Sequence, residues 1–98
     1  MRRDVAIAKL KAIEPDLRGI GVSALYLFGS HARDEAGPDS DIDVFVDPAS
    51  DRSFGFLPFM NALDVLRHAL GEHVDYGTRG GLHPLLRSQI EREAVRVF

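Results

Sequence analysis

Two short stretches, LFGSHAR at residues 27–33 and SDIDV at residues 40–44, decide the fold. The apolar run before Gly29 and Ser30 is typical of a central strand that ends in a tight turn. In the second stretch Asp41 and Asp43 alternate with apolar residues, and this period of two predicts a strand whose two faces differ. The sequence therefore predicts a strand–turn–strand unit with a Gly-Ser turn beside a pair of aspartates.

The spacing of these four residues has a chemical rationale. Gly29 lacks a Cβ, so a phosphate can approach its backbone, and the Ser30 hydroxyl and the first N–H groups of a following helix can hold triphosphate oxygens. Asp41 and Asp43 point to the same side of a strand and can hold Mg²⁺, and two such ions can clamp an in-line displacement at phosphorus. The alternative is that both aspartates simply face water, but aspartate is a poor strand residue.

Further candidate residues lie close to this unit or on another strand. The chemistry favours a third carboxylate, and Asp75 is the candidate because it lies mid-strand in an apolar setting, where an unpaired acid is costly. Arg33 could contact a phosphate or pair with a surface acid such as Asp34, and the sequence leaves both open. His31 follows Ser30 directly, although a lone histidine beside a turn is more often solvated than a ligand.

The remaining apolar spacing predicts helices packed on a small sheet. Intervals of three and four predict helices over about residues 3–13 and 54–70, with Pro15 and Gly71 as interruptions, a short helix at 31–35, and a last helix opened by Pro84. Short strands are expected at residues 24–28, 41–47 and 73–76. We expect an α/β (α+β) fold, with a small mixed sheet of about three to four strands and flanking helices, in one domain over residues 1–98.

Composition and charge exclude several classes of protein. Twelve basic and fifteen acidic residues leave a net charge of −3, which argues against a duplex nucleic-acid binder. No cysteine is present, which excludes disulfides, thiolate zinc sites and thiol nucleophiles.

The apolar runs are far shorter than the roughly 20 residues needed to span a bilayer, and Asp4 stands where a signal peptide would become apolar, so we expect a cytoplasmic protein. Seven acids between residues 34 and 51 form either a solvated loop or a divalent-metal site.

Together, LFGSHAR, the ten-residue spacing and SDIDV resemble the minimal nucleotidyltransferases of the DNA polymerase β-like superfamily, and the resemblance covers essentially the whole chain. It implies a nucleotidyltransferase-like fold in which Gly29 and Ser30 hold the triphosphate of ATP. It also implies that Asp41 and Asp43 bind two Mg²⁺ ions and that Asp75 is the third carboxylate. Many members are antitoxins paired with a helical HEPN ribonuclease, which implies transfer of AMP from ATP to a tyrosine of such a toxin.

The chain departs from this family at two positions. Asp34 stands where relatives carry glycine, and we expect it to add negative charge near the triphosphate. Tyr76 and Gly77 follow Asp75 where relatives continue with apolar residues, and we expect them to shorten the third strand.

Three hypotheses about function remain at this point. A domain of this size has little material to enclose an acceptor, so the favoured hypothesis is nucleotidyl transfer to a hydroxyl on a partner protein. The second is a non-catalytic antitoxin or scaffold that masks a helical ribonuclease by binding alone. The third is transfer to a small molecule or an RNA end, which the net charge disfavours. The sequence leaves the base preference, the metal and a homo-oligomer open.

Overall fold

A mixed sheet of four strands, in the order β3-β2-β1-β4, forms the centre of the fold. The computed structural model describes residues 1–50, 54–71 and 73–98, so Asp51, one of the seven clustered acids, lies outside the described residues. The chain runs through α1 (Arg3–Ala12), α2 (Glu14–Ile20), β1 (Val22–Phe28), α3 (Gly29–Ala32), β2 (Ile42–Pro48), α4 (Phe56–Leu70), β3 (Val74–Thr78), a 3-10 helix (Arg79–Gly81), α5 (Arg87–Glu93) and β4 (Val95–Arg96). β1 pairs antiparallel with β2 and β4, and β2 pairs parallel with β3. This mixed sheet with flanking helices confirms the expected fold class.

The predicted break near Pro15 is present. α1 ends at Ala12, and α2 begins at Glu14 with the proline in its first turn, where the missing N–H costs nothing. α2 stops at Gly21, whose φ of 119° lies in the left-handed region and lets its N–H bond to the Leu17 carbonyl. The chain then enters β1 at once, so this strand starts two residues earlier than expected.

One face of the sheet carries the apolar core. The alternation predicted for β2 is confirmed, because Val44 and Val46 are buried opposite Leu27 and Leu25 of β1. α1, α2 and α4 cover this face with buried side chains, namely Ala6, Leu10, Leu17, Ala62 and Leu66. The other residues of β2 consequently point to the opposite face of the sheet, which we call the open face.

The last third of the chain differs from the sequence prediction. The final helix begins at Arg87 rather than at Pro84 and ends at Glu93, and the chain then forms a fourth strand, β4. Val95 pairs with Leu27 of β1, and Val97 is buried. A strand is favoured here because the apolar residues Val95 and Val97 alternate with Arg96 and β1 offers an unpaired edge.

Two other local expectations were wrong. The short helix after the Gly-Ser turn spans Gly29–Ala32 instead of residues 31–35. β3 is not shortened after Asp75, because its parallel pairing with β2 continues to Thr78 opposite Val46. Within the described residues, no helix combines the length and apolar character needed to cross a membrane.

Candidate active site

The Gly-Ser turn brings the backbone of Gly29 against Asp43 on the open face. Gly29 has a φ of 71°, a conformation that favours glycine. A Cβ built at Gly29 would overlap the carboxylate of Asp43. Two independent constraints therefore require glycine where β1 enters α3, and they place the backbone of Gly29 beside the Asp43 carboxylate.

The sheet register brings the predicted carboxylates together. Asp43 of β2 lies directly opposite Asp75 of β3, and both belong to the open face because their neighbours Ile42 and Val44 belong to the core. Asp41 immediately precedes β2, where the Ile42 N–H donates to the His73 carbonyl at 2.8 Å. Asp43 and Asp75, on two neighbouring parallel strands, thus lie together at one end of the open face, with Asp41 just before β2.

The electrostatics of Asp43 show how closely these groups interact. Burial, together with repulsion from Asp75 and Asp41, raises the pKa of Asp43 to about 6 from its ordinary 3.8. The Arg33 guanidinium partly offsets these effects by lowering the same pKa. A dication bound beside Asp43 would therefore offset this repulsion and favour the charged form of its carboxylate.

The donor set fits a hard divalent cation by its chemistry. Carboxylate oxygens are the ligands that Mg²⁺ prefers, and Asp41 and Asp43 supply them from one segment. In the parts of the chain that the structure describes, no three histidine or acidic side chains already form a ligand set for one ion. Mg²⁺ usually keeps several waters and is bound by one or two carboxylates together with substrate phosphates, so two aspartates of this cluster are enough to hold it.

Glu93, at the end of α5, is the residue of the site that sequence reasoning missed. Its carboxylate accepts the Gly29 N–H at 3.3 Å and pairs with the Arg33 guanidinium at 3.2 Å. Arg33 also contacts Glu35 at 3.4 Å, so the ion pairing left open by the sequence is present. An anion of the chain itself thus occupies two of the groups predicted to bind phosphate, and no local pattern around residue 93 indicated this.

Hydrogen bonds of His31 and Ser30 stabilise the Gly-Ser turn. His31 is only 2% exposed, and its Nδ1–H donates to the Asp41 carbonyl at 3.1 Å. The Ser30 carbonyl accepts the Glu35 N–H at 2.9 Å and closes the turn that follows α3. His31 therefore holds the backbone of Asp41 in place, and the alternative of a solvated histidine was wrong because the ring packs beneath the turn.

The Asp34 carboxylate contacts the start of α1, which the sequence did not indicate. Asp34 has a φ of 58°, which explains why a glycine suits this position and why aspartate is tolerated. Its carboxylate accepts the Arg3 N–H at 3.1 Å, at the start of α1. The side chain therefore caps the first turn of α1.

A charged cluster centred on Arg79 holds α5 on the open face. The guanidinium makes two hydrogen bonds to Asp47, at 2.8 and 2.9 Å, and one to Glu91 at 2.5 Å. It also lies 4.8 Å from the ring centre of Tyr26 and 4.9 Å from that of Phe45. This contact positions the middle of α5 and, through it, Glu93 at the end of the helix.

Comparison with known proteins agrees with this geometry. Residues 7–97 match the nucleotidyltransferase domain family. The chain belongs to this family. As a nucleotidyltransferase it is an enzyme, and the expectations of fold and family drawn from LFGSHAR and SDIDV are confirmed.

Three known proteins show how far the similarity of this nucleotidyltransferase extends. It is 38% identical over 88 residues to a Methanocaldococcus jannaschii protein named "Putative protein adenylyltransferase", and the match covers 90% of this chain and 92% of the relative. A solved structure described as "Structure of putative minimal nucleotidyltransferase" has a TM-score of 0.74 at 32% identity, covering 97% of this chain and 95% of the other. A second structure, described as "Crystal structure of the toxin-antitoxin with AMP-PNP", has a TM-score of 0.70 at 24% identity, covering 92% and 72%, and shows the shared fold.

Proposed function

We propose that this nucleotidyltransferase transfers AMP from ATP to a hydroxyl of a partner protein in a reaction that depends on Mg²⁺. The observation that carries the proposal is the placement of Asp43 opposite Asp75, with the Gly29 backbone held against the Asp43 carboxylate. The name of the adenylyltransferase relative supports AMP as the transferred group. The small size of the domain supports a separate protein as the acceptor.

Asp41 and Asp43 would hold the metal, with Asp75 as the third carboxylate. We expect two Mg²⁺ ions; bound there, they would neutralise the triphosphate and lower the pKa of the attacking hydroxyl. The raised pKa of Asp43 supports this assignment, because a dication bound there would offset the burial and the repulsion from Asp75 and Asp41 that raise it. The ligand set agrees with the oxygen-rich sites that Mg²⁺ prefers.

The residues of the chain would bind and orient both substrates. The Gly29 N–H and the Arg33 guanidinium are directional donors for phosphate oxygens, and the Ser30 hydroxyl adds a third. Asp75 would accept a hydrogen bond from the acceptor hydroxyl and so aim its oxygen at the α-phosphorus. The new oxygen–phosphorus bond forms as the bond to pyrophosphate breaks, and the hydroxyl proton passes to Asp75 or to solvent.

The partner that best fits the resemblance is a helical HEPN-type toxin, with a tyrosine as the acceptor and this chain as the cytoplasmic antitoxin. The similarity in fold to a toxin–antitoxin structure supports a toxin partner. We propose that residues 1–98 act as one minimal nucleotidyltransferase domain. The non-catalytic antitoxin remains the competing hypothesis, and the following experiment separates the two.

The test uses ATP labelled at the α-phosphate, Mg²⁺, the purified protein and a lysate of its host. We expect label on one discrete protein, and we expect none with the double variant Asp41→Asn/Asp43→Asn, whose folding is checked by circular dichroism. Label on RNA or a small molecule would overturn the protein acceptor. Absence of label on any acceptor with all four nucleotides, in Mg²⁺ or Mn²⁺, would replace the proposal with the binding-only antitoxin.

A further inference from the structure

The strand β3 forms one edge of the sheet, and its outer side is unpaired. β3 pairs with β2 on one side and has no strand on the other, whereas the opposite edge, β4, is only two residues long. Protein sheets usually protect an exposed edge with lysine, proline or a β-bulge, and β3 contains none of these. This edge is therefore available for pairing with another strand.

The ladder between β2 and β3 shows which residues of β3 face outward. The Ile42 N–H donates to the carbonyl of His73, the residue before β3, at 2.8 Å. Because backbone groups point to alternate sides along a strand, the odd-numbered residues of β3 bond to β2. The even-numbered residues direct their N–H and C=O groups outward, namely Val74, Tyr76 and Thr78. Within the described residues, these three form no backbone hydrogen bond to any segment beyond that side.

The outward groups of β3 are complementary to those of a second copy of the same strand. In an antiparallel pair with a two-fold axis at Tyr76, each Tyr76 lies opposite its counterpart, and Val74 lies opposite Thr78 of the second copy. Each of these pairs exchanges two N–H···O bonds, because all of their backbone groups face the axis. A register centred elsewhere in β3 leaves some of these groups unpaired.

Gly77 fits this register for a reason that the isolated chain does not supply. Its φ is not in the left-handed region, and a Cβ built there would meet no atom within 4 Å. In the antiparallel pair, Asp75 lies opposite Gly77 of the second copy, so glycine leaves room for the carboxylate and places no like charge against it. The two Asp75 residues are diagonal neighbours about 7–8 Å apart, where salt weakens their repulsion.

Two exposed leucines beside β3 extend the same surface. Leu85 is 86% exposed and Leu86 is 51% exposed. Leu86 lines one cavity together with Gly77 and Thr78, so this segment lies next to the β3 edge. A two-fold axis at that edge brings each leucine pair towards its counterpart. This adds apolar area to a strand contact that is small beside the roughly 1,200 Å² of a typical specific interface.

We propose that β3 pairs with β3 of a second copy, so that the chain forms a two-fold symmetric dimer whose sheet continues through both copies. Residues opposite one another in an antiparallel pair lie on the same face. The open faces of the two copies therefore point the same way, and pairing at the edge leaves both proposed active sites uncovered. The dimer goes beyond the proposed function and does not depend on nucleotidyl transfer.

The first test is sedimentation velocity of the full chain from about 5 µM to about 500 µM, since an interface of this size predicts a dissociation constant of about 10–100 µM. Val74→Pro removes an outward N–H that β2 does not use, at a strand position that tolerates proline. We expect the dimer to weaken at least about tenfold in Val74→Pro, because each copy loses a hydrogen bond and gains a steric clash. Val74→Ala is the matched control: it loses the same side chain but keeps the N–H, and its dissociation constant should stay within about threefold of the wild type. Circular dichroism confirms that both variants fold.

A pair of charge variants tests the register. Gly77→Asp places a carboxylate opposite Asp75 of the second copy, and Gly77→Lys places an ammonium group there. Because each dimer contains this pair twice, we expect the dimer to weaken about fivefold in Gly77→Asp and to tighten by a similar factor in Gly77→Lys. Changes in the same direction would overturn the register centred on Tyr76.

Amide hydrogen exchange resolves the interface without mutation. The outward amides of Val74, Tyr76 and Thr78 should exchange more slowly at about 500 µM than at about 20 µM, whereas those of Asp75 and Gly77 should be protected at both concentrations. A monomer at every concentration would overturn the proposal. A dimer that Val74→Pro leaves intact, or outward amides whose exchange does not depend on concentration, would also overturn it.

Discussion

The two faces of the sheet are built on different physical principles. The core face is apolar and is sealed by α1, α2 and α4, and its residues Leu27 and Val46 are fully buried. The open face carries Asp43, Asp47 and Asp75, and the helix that lies over it, α5, contains no buried residue. Aliphatic packing stabilises the first face, whereas ion pairs around Arg79 and Arg33 organise the second around the buried ring of Phe45.

This difference separates stability from chemistry within the same strands. Val44 contributes to the core while its neighbour Asp43 carries a raised pKa, which is a destabilising feature at neutral pH. A strand supports both because successive side chains point to opposite faces. A substitution at a carboxylate of the open face should therefore change activity far more than stability, and one on the core face should do the reverse.

The largest expected effect is on Asp43. Asp43→Asn should reduce nucleotidyl transfer at least about a hundredfold, since it removes a charged group that the transition state requires. The same variant should be more stable than the wild type at pH 7 by about 1–2 kcal/mol, because about 1.4 kcal/mol corresponds to each pKa unit and partial exposure screens the effect. Labelling rates and urea unfolding measure the two effects.

The pH dependence of stability tests the same residue. Asp43 has a pKa of about 6 in the folded protein and an ordinary value near 3.8 when unfolded. Between these values the folded state binds more protons, so the free energy of unfolding contributed by Asp43 should fall as the pH rises and level off above about 6. Subtracting the Asp43→Asn profile isolates this contribution, and a difference that rises with pH over this range would contradict the raised pKa.

The next effect compares neighbouring residues of β1 on opposite faces. Leu27→Ala should lower the free energy of unfolding by about 2–5 kcal/mol because it leaves a cavity in a fully buried core. Phe28→Ala should lower it less, since Phe28 is only partly buried and packs on Phe45 of the open face. Urea unfolding of both variants checks the difference. An equal loss in the free energy of unfolding would mean that the two faces contribute equally to stability.

A smaller effect concerns the Glu93 carboxylate, which occupies the groups proposed to bind phosphate. Glu93→Gln should bind ATP more tightly by about three- to tenfold, because a neutral side chain competes less for the Gly29 N–H and Arg33 than a carboxylate does. Glu14→Gln is the matched control, since Glu14 lies on α2 and pairs instead with Arg18. Calorimetry with ATP measures both, and weaker binding by Glu93→Gln alone would mean that Glu93 orients Arg33 for the phosphate.

The smallest effect is expected at Asp34. Asp34→Ala should lower the free energy of unfolding by about 1 kcal/mol, because it removes the acceptor for the Arg3 N–H and places alanine at a positive φ. Asp34→Asn retains a cap and tolerates the same backbone conformation, so its stability should remain within about 0.5 kcal/mol of the wild type. Thermal or urea unfolding distinguishes the two variants. A change in the ATP affinity of Asp34→Asn would mean that the charge of Asp34 acts on the proposed phosphate site.

Much of the site could be predicted from the sequence because the relevant signals are local. The alternation at residues 41–47 predicted which side chains lie on the core and which lie beside the turn. Gly29 and Asp43 were predicted to lie together, and the sheet confirms their contact. The parallel register that places Asp75 opposite Asp43 agrees with the third-carboxylate hypothesis, whose chemical role remains a prediction.

The sequence by itself determined the family, the fold class and the strand–turn–strand unit, because strand alternation, proline breaks and glycine turns act over a few residues. Only the tertiary structure decided that residues 95 and 96 form β4, that Asp34 caps α1 and that Glu93 reaches Gly29 across 64 residues of sequence. Those contacts join segments with no shared periodicity. They form because the sheet and α5 bring the segments together, and no local pattern contains that information.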